Sequence, residues 1–408
     1  MLAASPSAPA DRPLYPEERP GRTVSLPLAG GVSRDLRLDT LRGLMLVAIA
    51  INHLDTELRV FTDYVFGFVS TAEGFVFLSG LVAGLVYTRR SASSSPVELQ
   101  QKARWRAWEI YFFHLSGFVT AFIGLQLLTL FTHVAAPTAP ALFFQEPVTA
   151  LLLGSSLLFQ PGLLDILPMY CGFMLVLPAM LAALRKGHWG RLFAVSGGLW
   201  LLSQFGLRDH LERSLQNLLP INLGVFDLLA WQFLFVSGAF FGYHWAKSPK
   251  PLLSFRPAML VFCLLVATPL WFLIRYQPVP TGLSMDLIWS WADKTHLAPL
   301  RLVNFIVLAY LIAAVAVHRP RIFTFRPLAF LGRHSLVVFT AQATFCLFVL
   351  TQPQLFATFT GRTVTAITMV GLLFPVAWLA EMATRRRSTQ PADPAEPVIR
   401  RSAEPIRV

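Results

Sequence analysis

The chain has 408 residues, of which 55% are hydrophobic and only 14% are charged, and its formal net charge is +12. A soluble protein of this length cannot bury so much apolar surface, so the composition excludes an ordinary soluble enzyme and indicates a protein embedded in a lipid bilayer. No basic patch interleaved with aromatic residues is visible, so the positive charge indicates contact with anionic lipid, and we expect no nucleic acid as a partner.

Apolar runs of about 20 residues predict an all-α polytopic membrane protein with about ten transmembrane helices. The predicted spans are residues 41–60, 66–87, 107–131, 163–184, 192–207, 223–244, 257–274, 302–317, 336–350 and 364–383. The run 148–158 is also apolar, but its length favours an interfacial or re-entrant segment over a crossing.

The positive charges predict the orientation, because Lys and Arg near span ends stay on the cytoplasmic side. With both termini in the cytoplasm, 27 of the 34 Lys and Arg residues fall in cytoplasmic segments. Residues 1–33 lack the apolar core of a secretory signal, so we expect a disordered cytoplasmic tail there. Residues 34–384 are predicted to form a single transmembrane domain, and residues 385–408 a disordered, basic cytoplasmic tail.

The first predicted span contains two polar residues that are costly to place in a membrane, Arg42 and His53. They are eleven residues apart, so they project from one helix face with a separation of roughly 16 Å along the axis. Asp39 lies within about 60° of the same face. This stripe of a carboxylate, a guanidinium and an imidazole is the first candidate site.

Glu73 enters the second span at a depth that we expect to match that of His53, since the two helices are joined by a short loop. A carboxylate beside an imidazole orients it and stabilises its protonated form, so His53 and Glu73 are the candidate catalytic residues. The alternative interpretation is structural: His53 as a hydrogen-bond donor between helices, and Glu73 as a protonated carboxyl bonded to a neighbouring helix.

Other polar residues separate into an outer and an inner group. The outer group contains the candidate substrate-binding residues Asp165, Asp227, Arg301 and Asn304. Asp165 and Asp227 also stand where a helix cap is expected. The inner group contains Asp39, Arg42, Arg333 and His334. It suits the phosphates of a cytosolic donor, although charge anchoring at the membrane surface explains single arginines equally well. The three cysteines have neither a metal-ligand spacing nor a disulfide framework, so we expect no metal.

Four stretches resemble known membrane acyltransferases. The stretch RLDTLRGLMLVAIAINH (37–53) resembles the first-helix signature of the acyltransferase-3 superfamily, in which ten residues separate an Arg from a His, here Arg42 and His53. The stretches AEGFVFLSGLVAGLVY (72–87), LLDILPMY (163–170) and PLAFLGRHSLVVFTAQ (327–342) resemble the OpgC branch, the osmoregulated periplasmic glucan succinyltransferases.

The resemblance implies an enzyme of the bacterial inner membrane. Such an enzyme takes an acyl group, with succinyl preferred, from cytosolic acyl-CoA and transfers it across the membrane to a hydroxyl of an extracytoplasmic glycan. The partners implied are the lipid bilayer, acyl-CoA as a donor substrate and a glycan acceptor, with no tightly bound cofactor. The residues do not decide between succinyl and acetyl, between direct transfer and an acyl-histidine intermediate, or between oligomeric states, and they do not identify the glycan.

Two functions from other classes stay open. Ionisable residues in the membrane are also typical of a proton-coupled transporter, although no internal repeat of the kind that many carriers contain is visible. The third possibility is a non-catalytic subunit of a glycan export complex, and it predicts that changing His53 leaves glycan modification intact.

Overall fold

The computed structural model describes residues 25–26, 34–132, 140–248, 252–276 and 284–389. Within them the protein is helical apart from one antiparallel pair of two-residue strands, β1 (Ser25–Leu26) and β2 (Arg34–Asp35). The helices are α1 Leu36–Asn52, α2 Thr71–Arg90, α3 Pro96–Thr132, α4 Leu142–Gln145, α5 Pro147–Ser155, α6 Ile166–Arg185, α7 Trp189–Gln204, α8 Leu207–Gln216, α9 Leu228–Lys247, α10 Pro257–Tyr276, α11 Met285–Trp291, α12 Pro299–His318, α13 Arg326–Arg333, α14 Ser335–Val349 and α15 Phe359–Thr389.

Each of the ten predicted spans overlaps one long helix, but six helices of the described chain are both long and apolar enough to cross a membrane. These are α2, α3, α6, α10, α12 and α15. Helices α1, α7 and α14 contain 17, 16 and 15 residues, so they are about 22 to 26 Å long and shorter than a hydrocarbon core of about 30 Å. The protein is therefore a multi-pass membrane protein, while the count of ten crossings and the position of the termini stay predictions.

The predicted first span is wrong at both ends. Helix α1 begins earlier, where the Asp35 carboxylate accepts a hydrogen bond of 2.9 Å from the Arg37 backbone N–H and caps the helix. It ends at Asn52, with His53 as its C-terminal cap, and the 3₁₀ turn Glu57–Phe61 follows. The apolar character of residues 41–60 therefore covers a helix end and a loop, and His53 lies at the end of a helix.

The run 148–158 forms α5, whose nine residues extend for only about 14 Å. That length is half of what a crossing requires, in agreement with the predicted interfacial or re-entrant segment. The predicted tails fall almost entirely outside the described residues, apart from the short strand pair near residue 25 and the end of α15, which continues to Thr389.

Helices α2 and α9 pack backbone against backbone through two glycine pairs. A Cβ on Gly80 or Gly84 would lie 2.2 or 2.3 Å from a carbonyl oxygen of α9, and a Cβ on Gly238 or Gly242 would lie 2.1 Å from a carbonyl oxygen of α2. Both helices therefore carry a Gly-xxx-Gly motif in the same interface, the arrangement that allows close helix packing in lipid. This places the polar start of α2 in a fixed position.

Helix α1 approaches α13 in the same way. A Cβ on Gly43 would lie 1.8 Å from the Leu328 carbonyl oxygen, and a Cβ on Gly332 would lie 1.9 Å from the Asp39 carbonyl oxygen. The contact fixes α1 against the segment that leads into α14. It thereby sets the distance between Arg42 on α1 and the first residue of α14.

Candidate functional site

Four helices meet around the ring of Phe75, which lies on α2 and is 5% exposed. The Arg42 guanidinium carbon lies 6.0 Å from the centre of this ring. The rings of Tyr170 on α6 and Phe339 on α14 each lie 6.3 Å from it, centre to centre. Arg42 also donates a hydrogen bond of 2.6 Å from Nη2 to the Ser335 hydroxyl. Arg42 is therefore half-buried, with its guanidinium directed into the helix bundle.

Polar groups continue from this point into the bundle. The Tyr170 hydroxyl, both amide atoms of Gln342 and Nδ1 of His53 are buried and have no hydrogen-bond partner in the described part of the chain. Ser79 is near the Tyr170 hydroxyl, but outside hydrogen-bond geometry. We call Arg42, Ser335, Tyr170, Gln342 and His53 the polar column.

The column has a direction, because α1 and α14 run parallel. At one end Arg42 of α1 bonds to Ser335, the first residue of α14. At the other end Glu57, which follows α1, pairs with Arg362, which follows α14 along the chain. Gln342 is seven residues beyond Ser335, and His53 is eleven residues beyond Arg42. At 1.5 Å per residue these are roughly 10 Å and 16 Å, so Gln342 lies between the levels of Arg42 and His53.

His53 lies at the end of the column opposite Arg42. Its backbone N–H donates to the Ile49 carbonyl oxygen at 3.0 Å, so its position is fixed by the last turn of α1. The charged groups that act on its imidazole are two cations, Lys294 and Arg59. A neighbouring carboxylate was predicted for this ring, and the structure supplies positive charge instead.

Glu73 has other partners than the one predicted for it. Its Oε1 accepts a hydrogen bond of 2.6 Å from Arg301 Nη1, and its Oε2 accepts one of 2.7 Å from the Ser70 hydroxyl. Glu73 and Arg301 are 0% and 1% exposed, and Arg301 Nε donates to the Ala292 carbonyl oxygen at 2.8 Å. The predicted contact between Glu73 and His53 is wrong, because both carboxylate oxygens are occupied where α2 meets α12.

Asn304, one turn after Arg301 on α12, holds the loop that follows the first helix. Its Oδ1 accepts from the Phe68 backbone N–H at 2.7 Å, and its Nδ2 donates to the Phe66 carbonyl oxygen at 3.3 Å. The side chain is fully buried. Asn304 and Arg301 were predicted to bind the acceptor, and in the structure their polar atoms bond to the protein itself.

The two outer aspartates also bond to the protein. Asp227 caps α9 by accepting from the Leu229 backbone N–H at 2.8 Å, and it accepts a second hydrogen bond from the Ser203 hydroxyl. Asp165 precedes α6 without capping it, and its Oδ2 accepts from the Val225 backbone N–H at 2.8 Å. Asp227 therefore caps a helix, as the structural alternative predicted. Asp165 caps no helix and instead holds the loop before α9.

The inner candidates gather at the corner where α1, α13 and α14 meet. Asp39 is 8% exposed in the first turn of α1, next to Gly332 of α13. Arg333 ends α13, and its guanidinium carbon lies 5.4 Å from the Phe330 ring centre. His334 follows, and its Nε2 lies 2.9 Å from Glu381 Oε2 on α15. The structure thus brings all four predicted donor-binding residues to the end of the column at which Arg42 lies.

Three residues of the column, and one beside it, were absent from the predicted site. Tyr170, Gln342 and Ser335 are polar residues inside apolar helices, and the first two end stretches that carry the family resemblance. The residue beside the column is Lys294, whose charge acts on His53. Tyr170 and Gln342 are identified by their buried, unpaired polar atoms, and this burial is visible only in the packed structure.

Cavity geometry does not define the site. A surface recess on the outside of α3 is lined by Gln101, Arg104, Trp105, Trp108 and Phe112, and it shares no residue with the polar column. Within the described residues, no group of three or more His, Cys, Asp or Glu side chains is arranged to hold a metal ion.

Comparisons with known proteins bear on the whole domain. No curated protein matches the chain, and no solved structure matches it. Residues 34–385 match a family model that is described as OpgC protein. This match includes every helix from α1 to α14 and most of α15, and with them the entire polar column. The chain therefore belongs to the OpgC family.

Proposed function

We propose that the protein is a membrane-bound O-acyltransferase that modifies a glucan, in keeping with its family. It transfers an acyl group, which we take to be succinyl, from cytosolic acyl-CoA to a hydroxyl of an extracytoplasmic glucan in the bacterial inner membrane. The observation that carries the proposal is the polar column, with a guanidinium at one end, an imidazole at the other and unpaired polar atoms between them.

The inner end suits the donor. Arg42 carries a guanidinium, whose planar N–H groups recognise phosphate oxygens, and Arg333 lies at the same corner. Phosphates accept hydrogen bonds and take up positive charge, so this end matches the nucleotide part of acyl-CoA. The thioester then extends along the column towards His53.

The outer end suits the transfer. The His53 imidazole accepts the proton of the glucan hydroxyl as its oxygen attacks the thioester carbonyl carbon. The C–S bond breaks, the imidazolium returns the proton to the leaving sulfur, and free CoA and the glucan ester are the products. Lys294 and Arg59 supply positive potential near His53, which favours the negative charge that develops on the carbonyl oxygen.

Glu73 takes a positioning role in this proposal. Its pair with Arg301 holds the start of α2 against α12, and the same α2 carries Phe75 in the centre of the column. The pair therefore fixes the ring against which Arg42 and Tyr170 pack, without contact to the reacting atoms.

The test uses the purified protein in proteoliposomes, with succinyl-CoA on one side and glucan on the other. We expect free CoA and succinylated glucan to form together, and His53→Gln to lower the rate by about 10²- to 10⁴-fold. His318→Gln is the matched control, because His318 is exposed at the end of α12 and its Nδ1 lies 2.8 Å from the Ala314 carbonyl oxygen of its own helix.

The alternatives give different results in the same experiment. A transporter moves solute without breaking the thioester. A non-catalytic subunit leaves glucan acylation in cells unchanged when His53 is replaced. An acyl-histidine intermediate releases CoA and labels the protein before glucan is added, whereas direct transfer releases CoA only when glucan is present.

A further inference from the structure

Gln342 is a buried amide to which the structure gives no partner. The side chain is 0% exposed, and neither its Nε2 nor its Oε1 makes a hydrogen bond within the described residues. A buried polar group left unpaired costs stability, so folding alone favours an apolar residue here.

Gln232 on α9 shows the contrasting case. It is 8% exposed, its Oε1 accepts from the Ser196 hydroxyl at 2.7 Å, and its Nε2 donates to the Ser196 carbonyl oxygen at 2.8 Å. The protein therefore pairs this second buried glutamine completely. The lack of a partner for Gln342 within the described residues is therefore explained by where its side chain lies on α14.

That place is the inside of the column. Gln342 follows Ser335 by seven residues, two turns less about 20°, so both project from one face of α14. Ser335 bonds to Arg42 on this face, and Phe339 stacks on Phe75 next to it. The opposite side of α14 packs on α3, where Thr340 and Thr344 surround Gly117.

We propose, building on the acyl transfer above, that Gln342 binds the amide groups in the arm of the thioester donor as it lies between Arg42 and His53. A carboxamide offers N–H donors and one carbonyl acceptor. Phosphates only accept, and a hydrocarbon chain does neither, so both leave the Gln342 oxygen unpaired. The pantetheine arm of CoA contains secondary amides, each with one N–H and one carbonyl, and satisfies both sides of Gln342.

A sugar hydroxyl also donates and accepts, but the position of Gln342 favours the donor. Counted from the bond between Arg42 and Ser335, Gln342 lies roughly 6 Å short of the level of His53, on the side of Arg42. The glucan approaches from the other side of His53. Gln342 is therefore a donor-binding residue and does not contact the acceptor.

The experiment compares two donors on wild-type protein and Gln342→Met, which preserves the side-chain volume. The donors are succinyl-CoA and the succinyl thioester of ethanethiol, which has no amide. We expect Gln342→Met to raise the KM for succinyl-CoA by roughly 5- to 30-fold, the effect of losing one or two hydrogen bonds. We expect kcat/KM for the ethanethiol ester to stay within about twofold, and thermal stability to be equal or higher.

Two control variants separate binding from packing. Thr344→Val changes the α3 side of the same helix and should leave both donors unaffected. Gln232→Met removes a fully paired amide and should lower thermal stability, in contrast to Gln342→Met. Gln342→Leu repeats the test with a differently shaped apolar side chain in case the Met variant does not fold.

An unchanged KM for succinyl-CoA in Gln342→Met, with wild-type protein active, overturns this inference and leaves the proposed function standing. An equal loss with both donors, or an increase confined to the KM for glucan, also overturns it. If wild-type protein cleaves neither thioester, the proposed function fails and the inference fails with it.

Discussion

Glu73 of α2 and Arg301 of α12 form an ion pair of 2.6 Å in which neither side chain is more than 1% exposed. The residues are 228 positions apart in the chain. Each also bonds to a second group: Glu73 accepts from Ser70, and Arg301 donates to the Ala292 carbonyl oxygen. A buried pair with these extra bonds orders the segments that carry it, and it joins the first turn of α2 to the first turn of α12.

Removing one partner of this pair should destabilise the protein more than removing both. Glu73→Leu or Arg301→Met leaves a buried charge without a counterion, which costs roughly 3 to 5 kcal/mol. The double variant Glu73→Leu with Arg301→Met leaves none and should regain most of that loss. Thermal unfolding of the four proteins in detergent gives the coupling energy, and additive losses contradict the structural role.

Replacing Arg42 should weaken the binding of the acyl-CoA donor more than it slows the transfer step. In Arg42→Met the charge and the bond to Ser335 are lost, so we expect the KM for acyl-CoA to rise by about 10- to 100-fold. Arg185→Gln at the exposed end of α6 is the matched control and should leave KM unchanged. A fall in kcat at unchanged KM would place Arg42 in the transfer step instead.

His296 should make stability depend on pH. In the loop between α11 and α12, the hydrogen bond that the His296 ring donates to the Asp293 carboxylate raises the pKa of His296 above its ordinary value of 6.5, and Asp209 adds to the rise. His296 Nδ1 lies 2.9 Å from Asp293 Oδ2, and Nε2 lies 3.1 Å from Asp209 Oδ2. A raised pKa in the folded state stabilises the protein below the unfolded value, and the stabilisation is lost as the pH rises through the folded pKa.

The melting temperature should therefore fall as the pH rises above the ordinary histidine pKa of 6.5, and His296→Gln should flatten this fall. Because the cluster is partly exposed, high salt should weaken the dependence. The variant His210→Gln on α8 serves as a control, since no ion pair to a carboxylate is found for it in the described residues. An identical pH profile in His296→Gln contradicts the assignment.

The glycines between α2 and α9 should tolerate no added methyl group. Gly84→Ala places a carbon 2.3 Å from the Ala239 carbonyl oxygen and Gly238→Ala places one 2.1 Å from the Phe77 carbonyl oxygen, so the helices must separate. We expect a loss of roughly 1 to 3 kcal/mol for each. Gly197→Ala on α7 meets nothing within 4 Å and should be neutral or stabilise by up to about 1 kcal/mol.

The sequence predicted the helical membrane fold and the face shared by Arg42 and His53, because both follow from hydropathy and helix period. It predicted the end of the first helix incorrectly, since hydropathy does not distinguish the end of α1 from the apolar loop after it. The sequence did not predict the partner of Glu73 either. Arg301 lies ten helices further along the chain, and no local pattern connects the two.

The polar column shows the same limit. Tyr170 and Gln342 stand in apolar helices, where sequence alone treats an isolated polar residue as tolerated. Only packing reveals that their polar atoms are buried and unpaired. The cap at Asp227 was predicted from residue type, whereas Asp165, predicted as a cap as well, bonds to a loop 60 residues away.

The contact between α2 and α9 has a consequence for how substrates pass. With peptide groups of the two helices touching at four glycines, neither sliding nor rolling of one helix on the other is possible without a collision of main chains. Helix α2 carries Phe75, so we expect the α2 wall of the column to move only together with α9. The opposite wall is held in the same way, since Gly43 and Gly332 bring the main chains of α1 and α13 together, so an opening between the walls should separate the α2–α9 pair from the α1–α13 pair as two rigid units.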